Sequence, residues 1–226
     1  MTNIFRTLAI VSLALLSLNV LLGLRIGDYN GQIDQLHKTA QQVKSETDPA
    51  KQTQIKSTFQ TQQAEWSEIR GRAGVHMVLG TLAAICTVLA SCVCLTYFVG
   101  TSRWCKEVTE AYHFETALAE RSANMKRLAF QLAVATMTTM MLLVAIGSLV
   151  SSTGDYFRAW SPVMVTPHMI FGFAATALVA FIFLKQMQLV TENYQIIRQL
   201  SEQVQKVRQD KDPASPAPKS NSPAAD

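Results

Sequence analysis

Two histidines stand at the mouths of apolar runs, where an imidazole needs either a partner or water. The first lies in Gly74-Val75-His76-Met77-Val78-Leu79-Gly80, the second in Thr166-Pro167-His168-Met169-Ile170-Phe171-Gly172. A neutral imidazole is the commonest metal ligand among side chains. Two imidazoles from facing helices can hold a haem iron axially, and helical bundles build cofactor sites in this way. Gly80, Ala83 and Ala84 follow the first histidine, and Gly172, Ala174 and Ala175 follow the second. On a helix Gly80 and Gly172 fall on the histidine face one turn deeper, leaving room for a planar macrocycle beside the backbone. The pattern predicts one b-type haem with His76 and His168 as axial ligands and Gly80 and Gly172 lining it.

Two other readings of the same residues stay open. Met77, Met164 and Met169 are soft donors that would suit copper, although a residue directly beside a histidine points about 100° away from it on a helix. A histidine at a helix end can also simply face headgroups or water, and small residues recur wherever membrane helices pack closely. The protein is then a non-enzymatic membrane scaffold, binding partners through parts outside the spans.

No other chemistry is legible, and no catalytic residue is assigned. Cys86, Cys92, Cys94 and Cys105 have neither zinc spacing nor a disulfide framework; they read as small buried hydrophobes. His37 and His113 lie outside the apolar runs, without ligand-like neighbours. Asp28, Asp155, Glu110 and Glu192 fall at helix boundaries, where capping accounts for them. There is no nucleophile–base pair, no glycine-rich phosphate loop and no metalloprotease motif. The net charge of +4 is spread out, which argues against nucleic acid.

The elements that must position the histidines follow from composition. The chain has 226 residues, of which 49% are hydrophobic and 16% charged. Four apolar stretches, 7–24, 73–100, 128–153 and 162–184, each reach the ~20 residues that a helix needs to cross the hydrocarbon. Backbone groups without water must pair within their own segment, so each stretch is expected to be helical. The first reads as an uncleaved anchor, with a cleaved signal peptide as the alternative. Arg103, Lys106, Arg121, Lys126 and Arg127 crowd the loop 101–127, whereas 154–161 holds only Arg158. The positive-inside rule then places that loop and both termini in the cytoplasm of an inner membrane.

An internal repeat joins these spans. Gly27-Asp28-Tyr29 is answered by Gly154-Asp155-Tyr156, Trp66-Ser67 by Trp160-Ser161, His76-Met77 by His168-Met169, and the run 108–112 (VTEAY) by 190–194 (VTENY). The expected fold is an all-α membrane protein of four transmembrane helices, arranged as two parallel two-helix repeats about an axis along the membrane normal. The copies disagree on depth. The interval from His to the VTE phrase is 32 residues in one copy and 22 in the other, and ten helical residues rise about 15 Å. The tryptophans favour matching the copies from the outer side, and a helix break at Gly100 would absorb the difference.

Outside the membrane, residues 28–72 carry six basic and six acidic residues and nine glutamines. Ile33, Leu36, Ala40 and Val43 step by threes and fours, as do Ile55, Phe59, Gln62, Trp66 and Ile69, predicting an outer helical hairpin with narrow apolar seams. Val190, Ile197 and Val204, with Leu200 and Val207, predict that the fourth helix continues to about residue 210 as a cytoplasmic, coiled-coil-like stem. Packing of this stem on the helical loop around 103–122 is its expected use, with homodimerisation the alternative. Residues 212–226 have the composition of a disordered tail.

Overall fold

The computed structural model describes residues 2–150 and 161–211. Gly154-Asp155-Tyr156, Arg158, Trp160, most of the short outer loop and the tail 212–226 lie outside those residues. Among the described residues all regular structure is helical: α1 (Thr2–Gly23), α2 (Tyr29–Ser45), α3 (Pro49–Tyr112), α4 (Ala117–Val150) and α5 (Ser161–Lys211). Four of them, α1, α3, α4 and α5, are long and apolar enough to cross a membrane.

Glycine and aspartate punctuate the chain between α1 and α3. Gly27 has φ +83°, a left-handed conformation that side chains disfavour, and it turns the chain out of α1. Asp28 then caps α2, accepting a hydrogen bond from the Gly31 amide at 2.9 Å. Asp48 caps α3 in the same manner through Ala50, with Pro49 in the first turn, where the missing amide hydrogen costs nothing. α2 lies along the first turns of α3. Thr39 and Ile69 are buried there, Tyr29 packs on Trp66 with ring centroids 4.6 Å apart, and the Gln52 amide donates to the Val43 carbonyl.

α3 runs unbroken from this segment through its apolar stretch to the other end of the bundle. Gly100 therefore does not end a helix, contrary to the sequence expectation. A single glycine weakens a helix by only about 1 kcal/mol against alanine, too little to break one packed along its length. α3 stops instead at His113, whose φ of 55° is a left-handed cap with its amide on the Glu110 and Thr109 carbonyls.

In cross-section the order is α1, α3, α4, α5 and back to α1, with α3 and α5 meeting across the diagonal. The buried faces step by threes and fours: Phe5, Ala9, Ser12 and Leu16 on α1; Ala83, Thr87, Ala90 and Cys94 on α3; Met125, Ala129, Ala133, Thr136 and Met140 on α4; Val179, Ile182, Gln186, Val190 and Asn193 on α5. Small residues on these stripes let the backbones approach closely. The hydroxyls are satisfied on their own helices, as Thr87 to the Ala83 carbonyl at 2.8 Å and Thr136 to Leu132 at 3.0 Å show. The outward faces are apolar, with Val78 and Met141 each 72% exposed, as suits helices surrounded by lipid.

Below the spans the bundle continues as α5 packs with the lower parts of α3 and α4. Asn193 is fully buried, accepting from the Ser122 hydroxyl at 2.7 Å and donating to Thr101 Oγ1 at 2.8 Å. Arg121 pairs with Glu192, and Arg208 donates to the Tyr112 hydroxyl. Within the stem Ile196, rather than its neighbour Ile197, is the more deeply buried. Asn193→Ala removes the amide that joins Ser122 on α4 to Thr101 on α3, leaving Thr101 only its bond to the Tyr97 carbonyl, and should cost about 1–2 kcal/mol. Gln186, two turns earlier on the same face, is equally buried, but neither atom of its amide has a partner among the described residues. Gln186→Leu is therefore expected to raise the thermal unfolding midpoint in detergent while Asn193→Ala lowers it.

Cys92 is exposed on the outside of the bundle and Cys94 is buried, so the two diverge. Cys105, beyond the span, is also buried. Burial pushes its thiol up, against a smaller opposing effect of the hydrogen bond with Ser122. Only the thiolate attacks a maleimide, so a polar maleimide at pH 7 should label buried Cys105 more slowly than free cysteine. Labelling should accelerate as the pH rises and on unfolding in dodecyl sulfate.

Candidate functional site

His76 on α3 and His168 on α5 come together across the bundle diagonal, with ring centroids 6.2 Å apart and planes at 86°. Thr101 and Asn193, hydrogen-bonded at 2.8 Å, are likewise 92 residues apart in sequence. One register thus relates α3 and α5 from the histidines to the far end of the spans. The VTE phrases, separated by ten residues less, do not share it.

Each ring leans on a glycine of a neighbouring helix. A Cβ on Gly23 of α1 would stand 3.0 Å from His76 Cε1, and one on Gly147 of α4 would stand 3.0 Å from His168 Cε1. That is tighter than almost all real Cβ contacts, so each imidazole occupies a notch that only glycine leaves open. These two residues were missed by the sequence reading. The available signal was that each is the sole glycine of its helix.

The two rings differ at Nδ1. His76 Nδ1 lies 3.0 Å from the Asn19 carbonyl oxygen, one turn before Gly23. A carbonyl only accepts, so in the neutral ring Nδ1 carries the hydrogen and Nε2 keeps its lone pair. Such a contact orients a metal-binding histidine. His168 Nδ1 is buried and has no partner among the described residues.

The glycines singled out from sequence fare differently from each other. The space beside Gly80 is filled by Asn19, whose Nδ2 is 2.8 Å from where a Cβ would be, while nothing comes within 4 Å at Gly172. A planar group on the Gly80 side would have to displace the Asn19 amide, whose Oδ1 lacks a partner. The methionines are poorly placed for copper: Met77 and Met169 are both exposed on the outside of the bundle. His37 and His113 are exposed and remote from the pair.

Among the described residues no three or more of His, Cys, Asp and Glu gather as a metal cage. Two ligands alone suit a metal whose other positions are filled by a macrocycle. The separation can be tested against that. A five-membered ring with bonds near 1.3 Å has its centroid about 1.1 Å from each atom. Two imidazoles on opposite sides of one ion, with metal–nitrogen bonds of about 2.0 Å, therefore have centroids about 6.2 Å apart.

The fold and site define a class: an all-helical chain with four membrane-length helices and a histidine pair inside the bundle, near one end of the spans. Neither family models, nor curated proteins, nor solved structures yield a match to this chain.

Proposed function

We propose that the chain is a one-haem b-type electron-transfer subunit of the cell inner membrane, with His76 and His168 as the axial ligands. The observation that carries this reading is the separation of the two rings, which equals that of imidazoles sharing one ion. Haem would supply reversible one-electron chemistry. The chain's own residues do the rest. Gly23 and Gly147 set the ring positions, the Asn19 carbonyl selects the His76 tautomer, and the apolar surround excludes water. Gly172 offers the open side, and Gly80 the side that Asn19 must vacate.

In this reading the protein is two parallel two-helix repeats, α1 with α3 and α4 with α5, each contributing one histidine and one glycine notch. Further support comes from the matched approaches of the rings to Gly23 and Gly147. Both termini are cytoplasmic and the α2–α3 segment is an outer docking arm, placing the haem near the outer surface within reach of a redox partner. The stem of α5 is the inner counterpart, serving partner binding or homodimerisation.

The scaffold reading draws on a different observation, the Asn19 amide that fills the Gly80 notch as packing would require. The absorption spectrum separates the two. Protein purified from haem-replete cells should contain one haem per chain, with a Soret band that sharpens and shifts on dithionite reduction. A colourless preparation would leave a membrane scaffold with two packed histidines.

A further inference from the structure

The geometry points to a second, unrelated site: an anionic phospholipid bound in the groove between α3 and α4 at the basic end of the spans. The groove has a volume of about 660 Å³ and is lined by Leu95, Val99, Ala123, Lys126, Arg127, Phe130 and Gln131. The two helices run antiparallel, so Lys126 and Arg127 lie beside Val99, where the apolar run of α3 ends. Leu95 and Phe130 lie a turn further into the hydrocarbon. Cations therefore sit at the membrane boundary and an apolar floor leads inward from them, which is the profile of a lipid headgroup above its acyl chains.

Charge makes the occupant specific. No acidic residue lines the groove. The nearby bases are already engaged, Arg103 by Glu107 at 2.7 Å and Lys106 by Glu110 at 3.7 Å. Lys126 and Arg127 have no ion-pair partner among the described residues. Two uncompensated cations side by side at this depth call for a phosphodiester without a compensating choline or ethanolamine. Phosphatidylglycerol and cardiolipin have that chemistry. The floor is accessible from the lipid side, with Val99 and Phe130 both more than half exposed, so a lipid can enter laterally. A soluble phosphate would gain nothing from that apolar floor.

The test uses the full chain in nanodiscs of zwitterionic lipid doped with diazirine-tagged phosphatidylglycerol or, separately, diazirine-tagged phosphatidylcholine. Each basic residue near the headgroups contributes about a fivefold preference for anionic lipid, so the pair should give about thirtyfold at this site. Phosphatidylglycerol should label peptides spanning 95–99 and 123–131 in excess over phosphatidylcholine by up to that factor. K126Q/R127Q should remove the excess, whereas K126R/R127K and the paired-base control R103Q/K106Q should keep it. Equal labelling by the two lipids would overturn the site, as would an unchanged excess in K126Q/R127Q. Displacement of the tag by soluble glycerol phosphate would overturn a lipid in favour of a simple anion site. Should K126Q/R127Q lose its helical circular dichroism, the lipid ratio and the labelled peptides of the wild type decide.

Discussion

With haem held as proposed, His76→Ala and His168→Ala should each yield a colourless protein, with haem content at least about tenfold below wild type. A b-type haem is held without covalent bonds, so its retention depends on both ligands and on the shape of the pocket. Removing one imidazole takes away a coordinate bond and opens a void beside the matching glycine. Even disturbing the residues that orient a ligand typically costs 10–100-fold in metal affinity, and losing the ligand itself should cost more. Neither variant should unfold. The hydrogen bond lost with His76 is a single contact to the Asn19 carbonyl, and the four buried stripes remain. Added imidazole should restore part of the Soret band in either variant by entering the void, a rescue that a merely misfolded protein would not show. The measurement is a pyridine haemochrome assay per mole of chain, with circular dichroism as the folding control.

Gly23→Leu and Gly147→Leu are expected to come next in size. Each added Cβ would stand 3.0 Å from a histidine Cε1, and leucine brings three further carbons to the same place. Overpacking of this kind generally costs about 1–3 kcal/mol. The ring must turn or shift to make room, which changes its separation from the opposite imidazole. Haem occupancy should fall about tenfold or more, while Gly74→Leu, with nothing within 4 Å of its Cβ position, leaves both haem and stability unchanged. Gly172→Leu separates packing from cofactor binding. The same open space means it should not lower the unfolding midpoint of the haem-free protein, yet it should reduce haem uptake, since the proposed macrocycle would occupy that space.

The spans were legible because hydrocarbon enforces helices of a fixed minimum length, and apolar runs such as 128–150 have no other use at this size. In α2 and the first turns of α3, the apolar steps Ile33, Leu36, Val43, Ile55, Phe59 and Trp66 are half-buried, most of them among exposed neighbours. Helix ends were harder to read. Nothing in the chemistry of residues 72–73 or 100–101 marks a boundary in the chain, because the membrane surface need not interrupt a helix, and α3 passes through both. The Gly-Asp phrase was read as part of a repeat; Gly27 and Asp28 also have a local cause, a left-handed turn followed by a cap. The histidine pair was visible as two matching phrases, but the partners of each ring were not. Gly23 and Gly147 are each the sole glycine of their helix, but nothing in either helix says what packs against them, and which residue fills the Gly80 notch depends on the rotation of α1, which the weak amphipathicity of an almost wholly apolar helix does not specify. Gln186 and Asn193 show the same limit: two amides on one face look alike in sequence, and only the neighbours on α3 and α4 decide which is satisfied.

Electron paramagnetic resonance of the oxidised, purified protein tests the central claim most directly, because the ferric signal reports both the number of strong axial ligands and the angle between them. With His76 and His168 on one iron and their planes near the observed 86°, the spectrum should be that of a low-spin, strongly anisotropic haem, one per chain. A high-spin signal, or no haem signal from haem-replete cells, would contradict it.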